Sequence, residues 1–265
     1  MFGHTLLRLD QRDQNDSNRI LAYTVNYAAQ KLPEDSELVF VYRGLVGGYP
    51  GDTTILPYYM KLKEYSDIES RDIWEYKLEL TQEQTDQLVR HIWEIQSVQF
   101  DYYFFTENCS YRVLGMLDVV LPKPRMLEQF NLYTIPIDTV RLPLEKGIVS
   151  DIAYRPSVVT RFWHQLNELT DEQKKLVYHI VAGPDTNLDA LDHLDEESRI
   201  NVLEVAYQYS RLISLPGRKA ATVSYNLLRA RQKLAAGSNL TPVPIPKKRD
   251  DQGHRSSQVR LEKGS

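Results

Sequence analysis

The only cysteine of the chain stands where an aromatic run meets a segment of helical periodicity. Phe100, Tyr102, Tyr103, Phe104 and Phe105 lead into Thr106-Glu107-Asn108-Cys109, and Val113, Leu114, Leu117 and Leu121 follow as a stripe. Cys109 is thus expected in the first turn of a helix. There the unpaired N–H groups and the positive end of the macrodipole favour thiolate over thiol. A thiol with a pKa of about 8.5 is only slightly ionised at neutral pH, so a nucleophile also needs a base. The other reading of Cys109 is a small buried hydrophobe.

A thiol nucleophile needs an imidazole within reach and a third group that holds the ring. The histidines are His4, His91, His164, His179, His193 and His254. His91, His164 and His179 lie in or beside helical stripes, and His254 lies in the tail. His193 shares an acidic run with Asp189, Asp192 and Asp195, which reads as a charged helix entrance, and no metal site is expected. His4 follows Gly3 at the head of a strand. A hairpin loop centred near Asn15 gives facing residues whose numbers sum to 30, as for Leu9 and Leu21, and sets His4 opposite Asn26. Facing side chains lie about 4.5–5.5 Å apart at Cβ, so Asn26 can fix the His4 tautomer. A slip of one residue would move Asn26 to the other face. Without Cys109 as its partner, His4 reads as a surface histidine at a strand end.

The chemistry these residues suit is nucleophilic acyl transfer. Cys109 attacks a carbonyl, His4 takes and returns the proton, and Asn26 orients the ring. N–H groups at the start of the Cys109 helix hold the oxyanion, with Asn108 or a nearby tyrosine as helper and Ser110 and Tyr111 as further oxyanion or substrate contacts. The chain has no G-x-S-x-G elbow, no H-E-x-x-H, no P-loop and no G-x-G-x-x-G, and no cofactor is expected.

These residues need a strand-rich first region and a helix for the thiol. Thr5–Asp10 and Ile20–Tyr27 read as strands around the turn-rich 11–18. Glu37–Leu45, with Leu38-Val39-Phe40-Val41-Tyr42, reads as a buried strand. Gly47-Gly48-Tyr49-Pro50-Gly51 reads as a loop with unusual backbone angles, and Asp72–Leu80 as a half-buried strand. Thr81-Gln82-Glu83-Gln84 and Thr170-Asp171-Glu172-Gln173 are capping boxes that open helices. Pro122 and Pro124 end the Cys109 helix, and Gly183-Pro184 ends the one after Thr170. Asp195-Glu196-Glu197 starts a further helix. The expected domains are 1–150 for catalysis, a helical region over 151–236, and a linker or disordered tail over 237–265.

With 265 residues, 42% of them hydrophobic, the chain can bury a core, and its 10% aromatic content excludes wholesale disorder. One cysteine excludes a disulfide scaffold. No run of 18 apolar residues exists, so no membrane-spanning helix is expected. Residues 216–265 carry 11 Lys and Arg against 3 acidic residues, a balance of +8. With a net charge of −4 overall, the rest carries −12. An acidic body argues against nucleic acid as a partner. The basic C-terminal segment suits either a solvated terminus or contact with an anionic membrane surface.

Several blocks together resemble a known family. They are Met1-Phe2-Gly3-His4-Thr5-Leu6-Leu7-Arg8-Leu9-Asp10, Asn26-Tyr27-Ala28-Ala29, Gly44-Leu45 with Gly47–Gly51, Pro57-Tyr58-Tyr59, Lys63-Glu64-Tyr65, Arg71–Tyr76 and Tyr103–Tyr111. The chain resembles the periplasmic catalytic domain of Lnb-type bacterial lipoprotein N-acyltransferases and their Gram-negative relatives. Pro246 to Arg260, with Gly253-His254 and Ser256-Ser257, resembles the segment leading into a further β-rich domain.

The resemblance implies an α+β fold: a permuted papain-like (NlpC-type) domain with an antiparallel sheet and a Cys-bearing helix, followed by a helical region. It implies His4 and Cys109 as the catalytic pair and a lipoprotein or phospholipid substrate. For Lnb itself it implies moving an acyl chain from the lipid part of a lipoprotein to the amine of its N-terminal cysteine. The location implied is periplasmic or outer-membrane-associated. The family motif begins slightly before the methionine and after an export signal. No signal peptide precedes His4 here, so the chain reads as N-terminally shortened. Arg71 and Lys63 would hold a lipid head group or a peptide carboxylate, or else pair on the surface with Glu64 or Asp72. The alternatives are a cysteine amidase or peptidase of the cell envelope, and a binding module without turnover.

Overall fold

The computed structural model describes residues 3–12, 18–121, 125–182, 188–213, 217–235 and 237–253. Met1, Phe2, residues 13–17 of the turn-rich stretch, Pro122, Pro124, Gly183-Pro184, His254 and Ser256-Ser257 lie outside them. The chain is α+β with antiparallel sheets and separates into two compact units. The first is built from the residues up to 62, from 75–153 and from the segment beginning at 246. The second comprises 63–74 and 154–245.

In the first unit the elements run β1 (Leu7–Leu9), β2 (Tyr23–Ala29), α1 (Glu37–Val46), β3 (Tyr49–Pro57) and α2 (Tyr58–Leu62). After β4 (Ile73–Leu78) come α3 (Gln82–Ile95), β5 (Phe100–Tyr102), α4 (Cys109–Asp118), α5 (Pro136–Glu145) and β6 (Val149–Arg155). Four strands form an antiparallel sheet in the order β1-β2-β3-β5, and β4 pairs with β6. Leu7 and Val25 on the sheet, Leu88 and Ile92 on α3, and Val113, Leu114 and Leu117 on α4 close one hydrophobic core. Burying each such side chain contributes about 1.5–3 kcal/mol.

The expected hairpin is present, with its register offset by two. Leu7 pairs with Val25 and Leu9 with Tyr23, so partner numbers sum to 32. An even offset keeps every side chain on its face. Leu6 rather than His4 then comes level with Asn26, and His4 reaches Asn26 along the diagonal. Arg8 anchors β1, its guanidinium bonding Asp10 at 2.6 Å and Glu75 at 2.5 Å. Tyr58 donates to the same Glu75 at 2.5 Å.

The strand expected over Glu37–Leu45 is instead the helix α1. Ser36 caps it by accepting from the Val39 N–H, and Gly47 closes it at φ 75° with its N–H on the Arg43 carbonyl. The apolar run misleads because both helix faces are apolar. Phe40 packs on Tyr49 and Phe104, while Leu38 and Tyr42 point to solvent at 83% and 65% exposure. The glycine-rich stretch is a loop only through Gly48, since Tyr49 already begins β3. Gly51 leaves room for the Tyr27 hydroxyl, which a Cβ there would meet at 2.2 Å.

The capping boxes at Thr81 and Thr170 form with both reciprocal bonds, and Asp195 caps the helix that follows it. Residues 246–253 return to the first unit. The buried Arg141 holds the carbonyls of Asp251 at 2.8 Å and Gly253 at 3.2 Å, and Tyr76 donates to the Asp251 carboxylate at 2.8 Å.

The second unit is a bundle of α6 (Val158–Glu168), α7 (Asp171–Ala182), α8 (Glu196–Leu212) and α9 (Gly217–Gln232). Its core joins Phe162 and Leu166, Val177 and Ile180, Val202 and Leu203, and Val223 and Leu227. Asp72 is bound at 2.7–2.8 Å by the Tyr154 and Thr160 hydroxyls and the Ser157 N–H, which hold the start of α6.

Candidate active site

Cys109 is the first residue of α4 and is 4% exposed. Asn108 places it there by making every polar bond its amide allows. Its Oδ1 accepts from the Ser110 N–H at 3.1 Å, the Ser110 hydroxyl at 2.7 Å and the Tyr111 N–H at 3.3 Å. Its Nδ2 donates to the Phe104 carbonyl at 3.1 Å and the Thr134 carbonyl at 2.8 Å. Asn108 is therefore an N-cap and a clamp between chain segments. The expectation that it donates to an oxyanion meets a physical obstacle: both amide protons are already spent. The Ser110 side chain is sealed at 0% exposure and turned onto Asn108. Tyr111 contributes its N–H to the same cap.

His4 and Asn26 meet along the diagonal rather than directly opposite, with His4 Nε2 at 2.6 Å from Asn26 Oδ1. Asn26 is 5% exposed and is held in turn by Thr54, its register partner on β3. Asn26 Nδ2 donates to Thr54 Oγ1 at 3.4 Å, and that hydroxyl donates back to the Asn26 carbonyl at 3.3 Å. With Nε2–H given to an amide oxygen, Nδ1 is the nitrogen left for Cys109. Residues far apart in the chain thus come together at the junction of β1, β2 and α4.

The electrostatics favour proton transfer from sulfur to ring. Burial alone would raise the thiol pKa. The hydrogen bond and charge of His4 outweigh that, with help from the Thr5 N–H and the Tyr102 hydroxyl, and hold Cys109 below its ordinary value. Burial alone would lower the imidazole. The hydrogen bond and charge of Cys109, with the Asn26 bond, raise it above its ordinary value, while the charge of Lys61 works against them. The two shifts have opposite signs, as in a thiolate–imidazolium pair.

Sequence reasoning left the helping tyrosine without a number and missed Lys61. Lys61 on α2 is buried at 7% exposure, and its charge reaches His4. Tyr102 on β5 accepts the Cys109 N–H at 3.4 Å and also bonds the sulfur. Its signal was the aromatic run before Cys109, whose periodicity does not reveal that Tyr102 pairs with Tyr49 across β3 and β5. Lys63 and Arg71 belong to the second unit, where Lys63 is exposed and Arg71 pairs with Glu69 at 3.0 Å. Among the described residues no cluster of His, Cys, Asp and Glu could hold a metal ion.

The model of the Lnb N-terminal periplasmic domain matches residues 1–146, more than half the chain and every member of the Cys109 site. The chain belongs to the Lnb N-terminal periplasmic domain family. This places it among periplasmic domains related to lipoprotein-modifying proteins. A second family model, a domain of unknown function (DUF7842), matches residues 152–243, which fall almost wholly in the helical unit. No curated protein and no solved structure matches the chain. Among the described residues no helix is long and apolar enough to cross a membrane.

Proposed function

We propose that this Lnb-family chain is a thiol-dependent acyltransferase acting on lipoprotein or lipid substrates at the bacterial envelope. Cys109 is the nucleophile, His4 the acid and base, and Asn26 the group that orients the ring. The observation that carries the reading is His4 itself, bonded to Asn26 on one nitrogen and paired with the only sulfur nucleophile on the other side.

The reaction divides into two steps. The Cys109 thiolate attacks an ester carbonyl and forms a C–S bond. The C–O bond then breaks, and His4 gives its proton to the departing alkoxide. An amine next attacks the thioester, His4 takes its proton, and the amide leaves as the thiolate is restored. Histidine precedes cysteine in the chain, which fits a permuted papain-like arrangement.

Intact-mass measurement after incubation with diacylated lipopeptide or phospholipid vesicles tests the reading. A mass gain of one fatty acyl group, absent in Cys109→Ala, is expected. An adduct formed only with cell-wall peptide would make the protein an amidase or peptidase. No adduct with any acyl donor, with Cys109→Ala behaving as wild type, would leave a binding module.

A further inference from the structure

Acyl transfer puts charge on the carbonyl oxygen, and donors at the start of the nucleophile's helix are the usual means of holding it. In α4 those donors are committed. The N–H groups of Ser110 and Tyr111 point at Asn108 Oδ1, and that of Arg112 at the Asn108 carbonyl, at 3.1 Å. The N–H of Cys109 points at the Tyr102 hydroxyl. Both Asn108 amide protons and the Ser110 hydroxyl are also engaged. A hydroxyl has one proton to donate and lone pairs to accept with. Tyr102 accepts from the Cys109 N–H, so its proton is free to be aimed, and in the resting site it lies toward the sulfur.

The Tyr102 ring cannot wander. It stacks on Tyr27 at 5.5 Å with planes 19° apart and meets Phe104 edge-on at 5.9 Å. Tyr27 is pinned by its hydroxyl, which donates to the Phe100 carbonyl at 3.2 Å. The hydroxyl is therefore fixed beside the sulfur while its proton can rotate.

We propose that Tyr102 is a catalytic residue, the donor that binds the oxyanion, with the Cys109 N–H polarising its hydroxyl from behind. This deepens the acyl-transfer reading and rests on it. As the C–S bond forms, the carbonyl π pair moves onto oxygen and the charge leaves the sulfur. The Tyr102 O–H swings from sulfur to that oxygen and returns when the tetrahedral adduct collapses. No proton changes owner at Tyr102.

The test compares two reactions of the same thiol. Acylation by p-nitrophenyl butyrate passes through an oxyanion, whereas alkylation by iodoacetamide does not. Both scale with the folded, thiolate fraction, so their ratio is insensitive to partial unfolding. Tyr102→Phe is expected to lower the ester-to-alkylation ratio about 10²-fold, the size typical of one lost oxyanion donor. Tyr102→Gln, which restores an N–H donor, is expected to recover part of the ratio and serves as the probe if the Phe variant does not fold. A ratio unchanged in the variant that folds would overturn the proposal, because Tyr102 would then act only through the sulfur. Wild-type acylation by the ester without transfer to any lipid or amine acceptor would sink the acyltransferase reading and leave the role of Tyr102 standing. Wild-type inertness to both reagents would sink both.

Discussion

Asn26 meets His4 diagonally across the β1–β2 pair, with the imidazole Nε2 at 2.6 Å from the amide oxygen. The diagonal is reachable because β1 begins only at Leu7 and the chain before it is irregular, which lets the His4 ring lean toward β2. Thr54 holds the amide from the other side, so the ring orientation rests on β2, β3 and the segment leading into β1.

Asn26→Ala removes both the tautomer lock and one of the bonds that raise the imidazole pKa. Turnover is expected to fall about 10²-fold, the range of a mispositioned acid–base group. The alkaline limb of the pH–rate profile moves down at the same time. Steady-state rates across pH read both effects, and a profile equal to wild type would remove Asn26 from the site.

The pair also sets a pH window. The sulfur must be ionised, so activity rises as pH climbs through the lowered thiol pKa. The ring must be protonated, so activity falls as pH passes the raised imidazole pKa. Ordinary values, about 8.5 for the thiol and 6.5 for the ring, stand in the opposite order and would leave the ion pair scarce. A bell is expected for ester turnover, in which His4 must protonate the leaving alkoxide, whereas iodoacetamide alkylation needs only the thiolate and should show the acid limb alone. In Cys109→Ala, burial acts with the main upward forces gone, so NMR titration should find the His4 pKa lower than in wild type.

Much of this site can be read from the chain alone, because its parts lie on one hairpin and one helix start. His4 and Asn26 are joined by local pairing, and an error of two in register preserves the face. Asn108 announces the helix as a cap residue. Other parts depend on tertiary choices. Tyr102 acquires its role only when β5 adds to β3, and Lys61 only when α2 folds back to the sheet. The strand β5 and the helix α5 carry too little pattern to be expected. The segment Leu38–Tyr42 looks like a strand because a helix with apolar residues on both faces hides its period.

Lys61 supplies a control on the electrostatics. Its charge lowers the His4 pKa, so Lys61→Met should raise it and shift the alkaline limb of the ester-turnover profile upward. Lys61 is not among the main causes of the Cys109 shift, so the acid limb should hold its place. An unmoved alkaline limb would show that the ammonium does not act on the ring.

Asn108 is where fold and chemistry share one side chain, and Asn108→Ala and Asn108→Asp separate its two duties. The alanine loses the N-cap, at about 1 kcal/mol, and strands the Phe104 and Thr134 carbonyls, at about 1–3 kcal/mol each. The aspartate keeps an acceptor for the Ser110 and Tyr111 N–H groups, so the cap survives. Its second oxygen, however, faces two carbonyls that an amide had been feeding with protons. Asp is normally as good a cap as Asn. Here it is expected to cost about 2–4 kcal/mol in urea unfolding, and its negative charge next to the sulfur should push the Cys109 pKa upward. The acid limb of alkylation would then move to higher pH in Asn108→Asp. Wild-type stability in that variant would mean that the cap alone matters and that the clamp on Phe104 and Thr134 does not hold the thiol in place.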